Sequence, residues 1–140
     1  MGAFVEQLPA GYMWAIETRN PNHLNAAHFG FLREHGLANV FQQGYFMPPV
    51  SEVYEKFAGQ LTDNAIIRLH GKDREGIEQR SGKDWSKILE PHDADLDALV
   101  KMVKDLAVRR RAVWVFANNH FEGCAPITIE RIKERLGSKE

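Results

Sequence analysis

The sequence predicts an α/β chain built from four consecutive parallel βα units. Short apolar runs recur along it, each ending in charged or amide residues, and a segment of helical spacing follows each run. No tight hairpin signal such as Asn-Gly joins two alternating runs, so successive strands are expected to run parallel through right-handed crossovers. With 140 residues, 44% hydrophobic and 26% charged, the chain has the composition of one globular domain, spanning residues 1–140.

The elements follow in order. Residues 1–8 (MGAFVEQL) read as the last turns of a helix stopped at Pro9 and Gly11, and a chain opening this way is expected to lack something upstream. Residues 12–18 (YMWAIET) form a near-continuous apolar run, as for a strand covered on both faces, with Glu17 and Arg19 at its end. After Asn20-Pro21-Asn22, the helical spacing of Leu24, Ala27, Phe31 and Leu32 lasts until Gly36, a left-handed stop. The second strand covers 37–42 and is followed by a short helix marked by Val50, Val53, Tyr54 and Phe57. The third strand covers 65–69, with Arg68 near its end and His70-Gly71 beyond.

Residues 70–92 hold five basic and five acidic residues, three glycines and the solitary Trp85. They read as a long loop, with 72–88 as a lid anchored by Trp85. Asp93 or Asp95 is expected to cap the next helix, whose stripe of Leu96, Leu99, Val100, Val103 and Leu106 ends at Arg109-Arg110-Arg111. Residues 113–117 (VWVFA) are the fourth strand, and a helix over 125–136 closes the chain at Gly137. Two architectures fit: a small doubly wound sheet, or half of an eight-unit barrel that normally takes about 250 residues. Length alone favours the first.

The segment Asn118 to Pro126, N-N-H-F-E-G-C-A-P, changes that balance, because it resembles the C-terminal signature of the YecE-like family, domain of unknown function seventy-two. Ala15 to Pro21 resembles that family's A-x-E-x-R-x-P strand end, Phe31 to Gly36 its following helix, and Arg68 to Gly71 its R-x-H-G strand end. The resemblance runs along nearly the whole chain but matches only about the second half of a family member. It implies the C-terminal half, strands five to eight, of a TIM-like (β/α)8 barrel. It brings no assigned activity.

Net charge is -1, from 18 Lys and Arg against 19 Asp and Glu, so no global field draws the chain to nucleic acid or anionic lipid. No apolar run approaches the roughly 20 residues that span a bilayer, and the single Cys124 fits a reducing compartment. These features lead to a cytoplasmic reading. Ligands of parallel sheets bind at the C-terminal strand ends, and the polar residues collect there: Glu17 and Arg19, then Gln42 and Gln43, then Arg68 and His70, then Asn118, Asn119, His120, Glu122 and Gly123.

Arg68, inside an apolar strand, calls for a carboxylate partner such as Glu17, either as a structural ion pair or as an anion site. His120 and His70 are candidate acid and base groups, with Glu122 or Glu17 as the partner acid. Arg19, Arg68, Asn118, Asn119, Gly123 and the last helix N-terminus are candidate ligand-binding elements. Each histidine and amide has a plainer alternative, bonding its own turn backbone. Glu17, His70, His120 and Glu122 are also metal-ligand types, although no spacing such as H-E-x-x-H is present. Cys124 beside a helix start suggests a nucleophile, or simply a small packing residue.

The readings that follow are an enzyme or binder for a small anionic, phosphorylated ligand, a metal-dependent hydrolase or nuclease, a non-catalytic ligand- or partner-binding domain, and a truncated copy needing a partner half. No cofactor is identified. An open half barrel would leave bare an inner face that the sequence suggests is lined by Trp14, Ile16, Ile67, Val113 and Val115. The chain is therefore expected to need a missing N-terminal half, a second copy, or a flattened sheet with helices on both faces.

Overall fold

A computed structural model describes residues 2–137. Met1, the first residue of the opening helical segment, lies outside the described residues. The order is α1 (Gly2–Val5), β1 (Ala15–Glu17), α2 (Ala26–Glu34), β2 (Ala38–Gly44), α3 (Val50–Phe57), β3 (Asn64–Gly71), α4 (Arg74–Ser81), α5 (Asp93–Val108), β4 (Ala112–Ala117), α6 (Asn119–Glu122) and α7 (Ala125–Leu136). The four strands form one parallel sheet in the order β1-β2-β3-β4. Right-handed crossovers between strands laid down in sequence send every helix to the same side. The topology is thus that of half a barrel, and the doubly wound alternative is excluded.

Burial agrees. On β3, Ala65, Ile67 and Leu69 are buried and join the core of Phe29, Phe41, Phe57, Leu96, Leu99 and Leu106. Val113 and Val115, in register with Ala65 and Ile67, pack on the same core. The opposite face carries Glu17, Val40, Gln42, Ile66, Arg68, Trp114 and Phe116 by alternation and register. Trp114 and Phe116 remain 40% and 56% exposed. The expected inner face is therefore corrected by one position: Ile67, Val113 and Val115 face the helices, as does Ile16, whose register partner Asn39 is bonded to His28 of α2. A continuous run such as VWVFA has no polar alternation from which to read the phase.

Strand ends also shift. β1 keeps only three residues as the edge strand, although the Trp14 carbonyl still accepts from the Ala38 N–H. β2 and β3 run on to Gly44 and Gly71, because two glycines allow the strand ends to touch. Gly44 has φ +127° and Gly71 φ +84°. A Cβ at Gly44 would collide with the Gly71 backbone, and one at Gly71 with the His120 carbonyl. The ends of β2 and β3 and the turn after β4 are stacked in direct backbone contact.

About half of the expected loop over 72–88 is a helix. Asp73 caps α4 by accepting from the Gly76 N–H, Gly82 ends it in the left-handed conformation, and Ile77 is wholly buried. At α5 the cap position is His92, not Asp93 or Asp95; Asp93 instead pairs with Arg131 and Arg135 of α7.

These glycines give a test. Gly36, with φ +65° and open space around it, should cost about 1–2 kcal/mol as alanine, for the left-handed backbone alone. Gly71→Ala adds overpacking and should cost about 3 kcal/mol or more. Urea unfolding of both variants measures the difference, and equal losses would contradict the stacked strand ends.

Candidate functional site

The C-terminal ends of the strands gather two linked clusters. In the first, the Arg68 guanidinium on β3 reaches across β2 to the Glu17 carboxylate on β1, and Arg19 Nε donates to the other Glu17 oxygen at 2.8 Å. The carboxylate partner expected for Arg68 is therefore Glu17. Partial burial pushes the Glu17 carboxyl up, but hydrogen bonds and charge from Arg19 and Arg68 outweigh it, leaving the group below its ordinary 4.5.

The second cluster surrounds His120. Asn118 Oδ1 caps α6 by accepting the His120 backbone N–H at 2.9 Å and lies 2.6 Å from His120 Nδ1. The backbone donor fixes that atom as the oxygen, so Nδ1 carries a hydrogen and any exchange of a hydrogen falls to Nε2. Nε2 faces Glu78 Oε1 of α4 at 2.8 Å, and Arg74 Nε holds the same oxygen at 2.9 Å. Arg74 first, and His120 second, hold the Glu78 carboxyl below its usual range. The Trp85 ring meets the His120 ring edge-on at 5.2 Å.

His70 lies between the clusters. Burial lowers its pKa, and Arg68 lowers it further; the charges of Glu17, Arg19 and His120 all reach it. Its Nε2 has no hydrogen-bond partner among the described residues. Tyr45 stacks at a tilt 5.8 Å from it, in a left-handed conformation with φ +53° that a tyrosine seldom adopts.

Other expected site residues are committed elsewhere. Glu122 is fully buried: its Oε1 accepts the His92 N–H at 2.8 Å, its Oε2 accepts the Thr128 hydroxyl at 2.8 Å, and Arg131 lies 3.3 Å away. Its carbonyl also takes the Leu89 and Glu90 N–H groups. It is the peg that fixes the segment before α5 to the last helix, and Glu78 takes the place beside His120 expected for Glu122. Asn119 Oδ1 accepts the Ala125 N–H at 2.8 Å, so this amide occupies the first N–H of α7, the helix whose N-terminus was expected to meet an anion. Gly123, with φ +115°, is packed against Lys87 and Leu89. Cys124 is buried at the start of α7.

Among the described residues no three His, Cys, Asp or Glu side chains gather as a metal site, and Glu17, His70, His120 and Glu122 do not converge. The sequence reading passed over Glu78, Arg74 and Tyr45. The signal for the first two was Asp73 and Gly82 bracketing eight residues, a cap and a stop around a helix with one apolar residue.

The Glu17 pair has a pH signature. Because the folded carboxyl titrates below its unfolded value, its stabilisation is complete above about pH 4.5 and is lost as pH falls through the lower folded value. Glu17→Gln should cost about 1–2 kcal/mol at pH 7, discounted for the half-exposed Arg68. Melting curves of wild type and variant should converge toward pH 3; a constant gap would show that the pair contributes nothing.

A family model described as protein of unknown function DUF72 matches residues 1–140. A solved DUF72 protein from Thermotoga maritima is 24% identical with a TM-score of 0.67, over 98% of this chain and 50% of its own. A solved DUF72 protein from Enterococcus faecalis is 18% identical with a TM-score of 0.65, over 94% of this chain and 50% of its own. No curated protein matches. The chain spans about half the length of these solved structures, and no described helix is long and apolar enough to cross a membrane. With the signature segments, the half-barrel topology and a family match from end to end, the chain belongs to the DUF72, or YecE-like, family.

Proposed function

We propose that the strand ends bind a small anionic ligand of the phosphorylated class, with His120 as the group that moves a proton. The observation that carries this reading is the charge balance. Three guanidinium groups, of Arg19, Arg68 and Arg74, meet two carboxylates, of Glu17 and Glu78, leaving a cation surplus around two histidines. The planar fork of Arg68 engages Glu17 through one nitrogen and keeps further donors for a ligand oxygen. His120, with Nδ1 tied to Asn118, presents Nε2 for exchange, and Glu78 stabilises the ring when it is charged. The segment 72–88 covers this site through Glu78 and Trp85.

Titration calorimetry with inorganic phosphate and a sugar phosphate tests the reading. Arg68→Lys keeps the charge but loses the two-pronged contact, and should weaken binding about tenfold, or about 1.4 kcal/mol. His120→Ala should leave binding within a few-fold and remove turnover of any substrate found. Heats that are absent or unchanged in all three proteins would make these residues purely structural.

We infer also that the open face is covered by a second four-stranded unit, which in purified protein is another copy of this chain. A two-fold axis along the barrel would place β4 of one copy beside β1 of the other, keeping all strands parallel. Leaving even about 600 Å² of apolar surface wet would forgo roughly 15 kcal/mol. The expected sedimentation result is a species of twice the chain mass at micromolar concentration. A compact, stable monomer would overturn it.

A further inference from the structure

We infer that the strand-end site is built for an anion that also carries hydroxyl groups, and that Gln42 is the residue that reads them. The inference rests on the anion reading above and adds the class of ligand. Gln42 lies on the open face of β2, in register with Arg68, and is only 4% exposed. Neither its Oε1 nor its Nε2 has a hydrogen-bond partner among the described residues.

Its neighbour shows what an ordinary structural amide does in this strand. Gln43 points to the helix side, and its Oε1 accepts the Val50 N–H at 2.9 Å, closing the start of α3. On the next strand His70, 8% exposed, likewise keeps Nε2 without a partner. Two buried polar side chains on adjacent strands are thus unsatisfied on the same side, beside the guanidinium assigned to the anion. Native interiors seldom leave such groups unpaired.

The chemistry of the amide narrows the ligand. Gln42 offers a donor and an acceptor in one plane, and it lines a recess of about 200 Å³ together with Arg19, Tyr45, Phe46 and Met47. The doubly ionised head of a phosphate ester has acceptors only, so it can satisfy Nε2 but not Oε1. An anion with an alkyl tail leaves both unpaired. A hydroxyl group both donates and accepts, so a small hydroxylated anion such as a polyol or sugar phosphate satisfies the amide while its charge meets Arg68. Sites built to bond a hydroxyl discriminate strongly against analogues lacking it, because the buried partner is then left bare.

The test compares glycerol phosphate, propyl phosphate and inorganic phosphate by titration calorimetry on wild type and Gln42→Leu, with melting curves confirming that the variant folds. Wild type should bind glycerol phosphate at least tenfold more tightly than propyl phosphate. In Gln42→Leu that ratio should fall to within twofold while inorganic phosphate affinity changes little. Equal affinities of wild type for the two esters would overturn the hydroxyl inference and leave the anion reading standing. A variant that weakens all three ligands alike would also overturn it, giving Gln42 a structural role. Absence of heat with every ligand, inorganic phosphate included, would overturn the anion reading and this one with it. If Gln42→Leu does not fold, the wild-type ratio alone decides.

Discussion

The structure depends on a topological constraint: four βα units laid down in spatial order put all their helices on one side of the sheet. That side becomes a conventional core, closed by the aromatic stack of Phe29 on Phe57 and by the leucines of α5. The other side receives little cover from this chain around Trp114 and Phe116, which stay 40% and 56% exposed. It carries apolar residues in the middle of the strands and charged residues at their C-terminal ends, and a barrel interior has the same gradient: filled in the middle and wet at the mouth. The one-sided core and the location of the polar site are thus two results of one ordering.

Within that frame, close backbone approach does the positioning. Gly44 against Gly71, and Gly71 against His120, bring three consecutive strand ends nearer than side chains would permit. The Asn118 N–H completes the junction by donating to the Leu69 carbonyl at 2.9 Å. His120 is therefore placed by the backbone of β3 as much as by its own turn, and its ring is then oriented by Asn118. On the far side Glu122 anchors the segment 89–92 with five groups, three from backbone N–H donors and two from side chains. Two residues of one signature, His120 and Glu122, serve opposite ends of the design: one faces the open site and the other is sealed in the core.

Much of this was legible in the residues. The apolar runs located all four strands, Gly36 and Gly137 ended helices as expected, and the charge inside the apolar run AIIRL called for the carboxylate found at Glu17. What escaped had physical causes. Strand phase was invisible in runs without polar alternation. Helix α4 was missed because seven of its eight residues, all but Ile77, are polar or glycine, so no amphipathic period exists to detect; its existence is set by Asp73, Gly82 and tertiary contact. With α4 missed, Glu78 was missed too. Sequence proximity then suggested Glu122 as the acid beside His120, whereas two residues' separation in a single helical turn points the side chains apart.

For the anion site proposed here, the arrangement of Glu17 supplies a way to hold the cations in place before a ligand arrives. Arg68 stands among apolar strands, where an unpaired guanidinium is costly, so a carboxylate must be held within reach. A fully bidentate pair would satisfy that demand but consume the fork. Glu17 divides its oxygens between Arg68 and Arg19 instead, so each arginine is steadied by one contact and retains free donors. The same carboxylate spans β1 and β3 over the intervening strand, tying an edge strand of only three residues to the sheet. One ion pair thus secures the weakest strand and, under the proposed anion reading, preorganises the groups that would face the ligand, which is why stability and binding are expected to respond together when Glu17 is changed.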